Sequence, residues 1–260
     1  MSDNLLSRRP IVSLLGLLLL SGGTVGFAAP RTDEDASFVE LVVQLRARRH
    51  HVVVSSTEPN TIQDLELNTP DNDDFRLLQR AQVTGTLIIR EMKNKVVGWD
   101  EVLQGCRQLT RVTFMDCTFA DDRIDFLAAC PALTHVSLVE DCPLDGRSLT
   151  VLKDLPKLEY FGGDCKSVNA HSMVIPEDHP TLFDFHVHGV PIDKSNFQRL
   201  MGLSKIKYIR LADNGTTDAH LEGVIPSVSL ESVDILSGIS DHAGTQFREQ
   251  HDNISFLWDE

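Results

Sequence analysis

Apolar residues return along this chain with a beat of about two dozen positions. The segments LTRVTF from Leu109, LTHVSL from Leu133, LEYFGG from Leu158, LFDFHV from Leu182, IKYIRL from Ile206, LESVDI from Leu230 and ISFLWD from Ile254 follow at steps of 24, 25, 24, 24, 24 and 24 residues. Upstream, TGTLII from Thr84 and IQDLEL from Ile62 continue the series at steps of 25 and 22. The first, fourth and sixth places are apolar. The fourth and sixth, two apart, share one face of an extended strand, so the third, fifth and seventh places share the other. Each strand runs into a polar turn, MDC, EDC, GDC or ADN, ending at Cys117, Cys142, Cys165 and Asn214. A short helical pattern follows: Phe197, Leu200 and Leu203 spaced by three, then Ile124 with Leu127, Leu149 with Leu152, and Leu221 with Val224. Asp121 or Asp122, Asp145, Asp193, Asp218 and Asp241 precede these patterns. They are predicted N-caps, each worth about 1 kcal/mol. That role explains the row of Asp without a cation. A fixed period of this kind predicts stacked units, since one unit cannot bury its apolar face alone.

The pattern resembles the leucine-rich repeat family, in the short form whose helices open with a Thr-Asp or Ser-Asp pair. TTDAHLEGV and ISDHAGTQF are the closest local matches. The resemblance covers about Ile62 to Glu260. It implies an α/β leucine-rich-repeat solenoid, a horseshoe with a concave parallel β-sheet and short convex helices. In that family the side chain at the turn place points inward and bonds neighbouring backbone, which the resemblance implies for Cys117, Cys142, Cys165 and Asn214. Two places depart from the pattern. Gly163 stands where the sixth residue is otherwise apolar. VNAHSMVIPEDHP, residues 168–180, has no opening Asp and is broken by Pro176 and Pro180, which predicts an irregular connection.

Residues 29–60 read as an N-terminal cap before repeats over 61–260. Phe38, Leu41, Val42 and Leu45 form a helical stripe, HHVVVSS reads as a strand over the open end, and Thr57 to Asn60 connect. The last segment is a strand without a visible cap, which predicts an exposed edge. Residues 1–28 read as an export signal: Arg8 and Arg9, an apolar run from Ile11 to Leu20, and GFAA with cleavage after Ala28. SRRPIV, from Ser7, resembles a twin-arginine signal. The predicted location is periplasmic or secreted. A membrane contact is predicted only if the segment stays uncleaved, since Ile11 to Ala29 reaches the roughly 17–25 residues of a span; a buried core helix is the third reading.

Hydrophobic residues at 42% and charged residues at 24% suit a folded globular chain. The formal net charge of -14 argues against a nucleic-acid binder, which needs a basic face. Five cysteines cannot all pair within one chain. Burial as small apolar side chains explains all of them. Cys117 and Cys142 would lie about 5 Å apart on neighbouring strands, but stacked side chains point in parallel, which favours free thiols.

The solvent-facing places are Arg111, Thr113, Met115; His135, Ser137, Val139; Tyr160, Gly162, Asp164; Asp184, His186, His188; Tyr208, Arg210, Ala212; Ser232, Asp234, Leu236; and Phe256 with Trp258. Tyr160, Asp164, Asp184, His186, His188, Tyr208 and Arg210 form the candidate partner-binding patch, because aromatic and Arg side chains dominate interface hot spots. No phosphate loop, Gly-x-Ser-x-Gly or His-Glu-x-x-His is present. The reading is a non-enzymatic scaffold for a protein partner, without cofactor or catalytic residues. The alternative is a metal-binding or metal-dependent hydrolytic protein using His186, His188 and Asp164. It requires two His about 7 Å apart along a strand to lean together. A third reading is a cell-envelope spacer without a ligand. Terminal sequencing of the exported protein is expected to begin at Ala29; a membrane-bound chain retaining Met1 would instead establish the anchor.

Overall fold

The two-apart apolar positions become the buried side of nearly every strand in a computed structural model that describes residues 33–93, 102–167 and 171–259. The strands are β1 His51–Val54, β2 Ile62–Asn68, β3 Val83–Arg90, β4 Arg111–Met115, β5 His135–Leu144, β6 Tyr160–Ser167, β7 Asp184–His188, β8 Tyr208–Ala212, β9 Ser232–Ile235 and β10 Ser255–Trp258. They form one sheet in chain order. β1 is antiparallel to β2. From β2 to β10 every pairing is parallel. The class is therefore mixed α/β with a mostly parallel sheet and short helices.

Register carries the periodicity into space. Val112, Val136, Phe161, Phe185, Ile209 and Val233 face one another across six strands. Phe114, Leu138, Gly163, Val187, Leu211 and Ile235 make a second row. Both rows are buried in a single continuous core with Leu109, Leu133, Leu158, Leu182, Ile206 and Leu230. Phe161 and Phe185 stack at 5.6 Å between centroids. Removing each such side chain from water contributes about 1.5–3 kcal/mol. Gly163 leaves room in the second row for Cys165, whose sulfur would lie 2.7 Å from an added Cβ.

The connections cover the apolar side of the sheet through Asn72–Arg80, Lys194–Gly202, Asp218–Leu221 and Asp241–Gln250, together with 3-10 segments such as Asp125–Ala129 and Gly146–Asp154. Two of the expected Asp caps hold. Asp145 accepts the Arg147 N–H at 3.0 Å and Asp193 the Asn196 N–H at 2.8 Å. The others are displaced. Thr217 and Ser240 take the N-cap places, one residue before Asp218 and Asp241. Asp218 instead accepts the N–H and hydroxyl of Ser240, both at 2.8 Å. Asp121 and Asp122 sit in left-handed backbone ahead of Asp125–Ala129, whose start has no side-chain cap. Ser240 supplies the capping oxygen, accepting the Ala243 N–H at 3.3 Å, and an acid in the first turn still faces the positive end of the helix dipole.

The last strand corrects the expectation for Phe256 and Trp258. Phe256 pairs with Val233 and Trp258 with Ile235, so both lie on the core side of the sheet. Ser255 and Leu257 occupy the solvent side, and Leu257 is exposed. The slip of one residue turns two large rings into the end of the core. Phe256 packs 4.7 Å from Phe247. Trp258 lies against Gly244, where any side chain would collide with the indole, and Arg248 covers its ring at 5.2 Å.

Residues 171–180 have no regular structure, as the prolines predict; 168–170 lie outside the described residues. His179 replaces the missing helix there. Its Nε2 is 3.0 Å from the Leu152 carbonyl and its Nδ1 accepts the Leu182 N–H at 3.0 Å. Asp33–Ala47 forms the cap helix, burying Leu41, Val42 and Leu45, with Phe38 partly buried. A buried polar cluster beneath it was not foreseen. His50 Nε2 lies 2.8 Å from Asp74 Oδ1, and Arg48 pairs with Asp74 and Asp71. Burial raises the Asp74 carboxyl, but the bonds from Arg48, the Asp71 N–H and His50 outweigh it and leave the group below its ordinary range.

All five cysteines are buried and unpaired. Cys117 and Cys142 donate to backbone carbonyls of their own and the preceding strand, as in Cys117 to Ile89 at 3.3 Å. Asn214 donates likewise to Val190. Burial pushes Cys106 up to about 11 and Cys117 to about 12, which keeps the thiols protonated and unreactive. The apolar run of residues 11–20 and the cleavage point after residue 28 lie outside the described residues. Among the described residues no helix is long and apolar enough to cross a membrane.

Burial lowers the His179 pKa from its ordinary 6.5, and the carbonyls of Leu152 and Leu155 only partly oppose this. Below about pH 6.5 the unfolded chain therefore takes up more protons than the folded one. The contribution of His179 is present above that pH and is lost as pH falls through the lowered value. Urea unfolding of His179→Ala is expected to show a loss of about 1–3 kcal/mol at pH 7.5 that narrows by pH 5; a constant gap would contradict the assignment.

Candidate functional site

The side chains not used by the core form three rows on the open side of the sheet. The first runs Arg111, His135, Tyr160, Asp184, Tyr208, Ser232, and the second Thr113, Ser137, Gly162, His186, Arg210, Asp234. In the third, Asp164 faces His188 and His188 faces Ala212. These registers agree with the positions read from the sequence for β4 to β9.

A hollow of about 340 Å³ opens where Gly162 interrupts the second row. The Tyr160 ring folds along its own strand and covers Gly162, so that a Cβ there would collide with it. Gly162 thus makes the floor and Tyr160 a wall. His186, His188, Asp164 and Arg210 complete the polar lining, and Val139, Ala212 and Leu236 the apolar part. Tyr160 also joins an aromatic row. His135 stacks on it at 5.9 Å and His186 stands nearly perpendicular to it at 5.8 Å. Burial lowers the His135 pKa and the nearby Arg111 charge adds to this, while burial and the Asp184 charge raise that of Tyr160.

Charged groups around the hollow are paired. His188 lies between two carboxylates, with Nδ1 2.9 Å from Asp164 Oδ1 and Nε2 2.8 Å from Asp213 Oδ2. The bond to Asp213 is the largest influence on His188, burial opposes it, and Asp164 adds to it, so the imidazolium is favoured. His186 turns to Asp184 on its own strand, 2.8 Å away. Arg210 donates to Asp234 at 3.0 and 3.2 Å.

Five of the seven candidate residues, Tyr160, Asp164, His186, His188 and Arg210, line the hollow. Asp184 stands beside it as the partner of His186. Tyr208 flanks Asp184 in register but sends its hydroxyl away to Glu231, at 2.8 Å, which also holds Lys207 at 2.6 Å. His186 and His188 face different carboxylates and do not converge. Among the described residues no group of three or more His, Cys, Asp or Glu side chains is placed to hold a metal ion. Asp213 was missed. Its left-handed backbone, φ 51°, follows the end of β8 and brings its carboxylate to His188. The signal was present: Asp occupies the middle of the turn triplets MDC, EDC, GDC and ADN.

No protein-family model and no curated protein matches this chain.

The two carboxylates are expected to set the titration of His188. Its imidazole NMR signals should titrate above the ordinary 6.5, and Asp213→Asn should lower the midpoint. The sign follows from linkage: a raised folded pKa gives stability that is full below the unfolded value and lost as pH rises through the folded one. A midpoint at or below 6.5 in the unaltered protein would contradict the bridge.

Proposed function

We propose that this chain is an exported leucine-rich-repeat-type solenoid, a non-enzymatic scaffold that binds a protein partner on the concave face of its sheet. The uniform lateral register supports the solenoid, because each strand repeats its neighbour's pattern of core-facing and solvent-facing places. One side of the sheet is covered by connections, which leaves the other as a broad surface for contact. Fold alone does not name a ligand, so the functional reading rests on the site.

The observation that carries it is the gathering of His135, Tyr160, His186 and Arg210 around a shallow hollow with an apolar edge. Aromatic and Arg side chains offer contact area and hydrogen bonding together, as interface anchors do. The hollow is open to solvent, which suits an inserted side chain better than chemistry that needs water excluded. His188 and Arg210 are held by carboxylates from neighbouring strands, and His186 by Asp184 on its own strand, which holds them in place before a partner arrives.

A photo-crosslinking residue tests the face. Placed at Val139, in the hollow, it is expected to yield a discrete adduct in an extract of the native cell envelope. Placed at Arg199, on the exposed side of Lys194–Gly202, it is expected to yield none. Adducts from Arg199 alone, or equal adducts from both, would contradict the assignment.

A further inference from the structure

We propose that the hollow receives a cationic side chain, an arginine guanidinium or lysine ammonium, presented by a basic segment of the partner. This rests on the binding-face reading above and gives that face a chemistry.

The cations around the hollow already have carboxylate partners. Arg210 is bound to Asp234, and His188 is held by Asp164 and Asp213. Acceptors remain. Asp164 meets His188 through Oδ1 and Asp213 through Oδ2, while the two carboxyl side chains are 54% and 71% exposed. A carboxylate accepts at both oxygens, so each keeps one for a further donor. Asp164 lines the hollow, and Asp184, Asp213 and Asp234 stand beside it as partners of its lining residues His186, His188 and Arg210, so four carboxylates outnumber Arg210 and the favoured His188 imidazolium. An anionic ligand would meet this excess of carboxylates at close range.

The aromatic wall favours the same ligand. A ring face attracts a guanidinium or ammonium, by about 0.5–1 kcal/mol where the site is exposed. Tyr160 is held in position by the glycine beneath it and by His135 beside it. The planar fork of arginine adds donors matched to carboxylate oxygens. Aromatic wall, glycine floor and unspent acceptors occur together here.

The test uses a short Gly/Ser peptide carrying arginines, and matched peptides carrying glutamates or glutamines, titrated into the ¹⁵N-labelled protein. The arginine peptide is expected to saturate and to shift the signals of Gly162, Gly163, His186 and His188, while the other two leave them unmoved. Asp164→Asn with Asp213→Asn is expected to weaken it about tenfold, as two charge-assisted contacts are lost. Gly162→Ala leaves every charge in place but displaces Tyr160, and should weaken binding several-fold. Asp154→Asn with Glu249→Gln, an equal loss of charge on the helix side, should change nothing. Equal weakening by that control, preference for the glutamate peptide, or no binding of the arginine peptide would overturn the proposal. If the arginine peptide is silent while crosslinks still form at Val139, the cation assignment falls and the binding face stands. Crosslinks moved to Arg199 remove the face itself.

Discussion

Lateral burial of like on like holds this molecule together. Val112, Val136, Phe161, Phe185, Ile209 and Val233 recur at intervals of 24 or 25 residues and meet across successive parallel strands. No single strand–turn–helix unit has enough apolar surface to bury by itself, so each depends on its neighbours. Parallel pairing of strands at a constant offset is the arrangement that brings every one of those side chains into contact. Once it is adopted, the alternation along each strand decides the rest. One side of the sheet is core, and every other residue is committed to the opposite side.

That constraint creates a polar problem at both ends of every strand. At the C-terminal ends the chain must leave the sheet, and it does so through left-handed residues such as Glu91, Asp116, Gly189 and Asp213. The N–H groups of Glu91, Asp116 and Gly189 bond carbonyls of the next strand, those of Met115, Val139 and Ala212. Cys117, Cys142 and Asn214 serve the inner carbonyls. At the N-terminal ends a tight turn closes onto the first apolar residue, as from Leu133 N–H to the Cys130 carbonyl and from Ile206 N–H to Leu203. Between residues 171 and 182, where prolines remove the helix, the buried imidazole of His179 serves a carbonyl on one side and an N–H on the other. The cysteines are therefore packing and capping groups, and their raised pKa values follow from the burial that this role needs.

The parts of this architecture set by repetition were legible in the sequence, and the parts set by local competition were not. The period placed β2 to β9 in register, and it assigned Tyr160, Asp184 and Tyr208 to one row and Asp164 beside His188. It failed at β10, because counting from Ile254 put Asp259 at the sixth, apolar place, whereas starting one residue earlier puts Phe256 and Trp258 at the fourth and sixth. Two aromatic rings gain more from closing the core end than from solvent. Asp caps were overestimated where Thr217 and Ser240 compete for the same place. His50 and Asp74 lie 24 residues apart, but His50 precedes the antiparallel β1 and Asp74 sits in the helix Asn72–Arg80, so they share no strand place and the spacing did not announce their pairing. Asp213 shows the limit most clearly. Its position in the turn was visible, but its approach to His188 depends on the left-handed backbone after β8 that brings its carboxylate to β7. The hollow has a similar origin, since a glycine in a strand reads as a gap until its neighbour Tyr160 is seen to fold over it.

The central claim is the lateral register, and spin labels measure it most directly. Arg111 and Ser232 occupy the same row five strands apart, and the native thiols are buried beyond the reach of a labelling reagent. With Arg111→Cys and Ser232→Cys labelled, electron–electron dipolar spectroscopy should give a single distance near five interstrand steps, about 24 Å. A broad distribution, or a distance beyond about 35 Å, would mean that the two dozen-residue intervals do not stack as neighbouring strands.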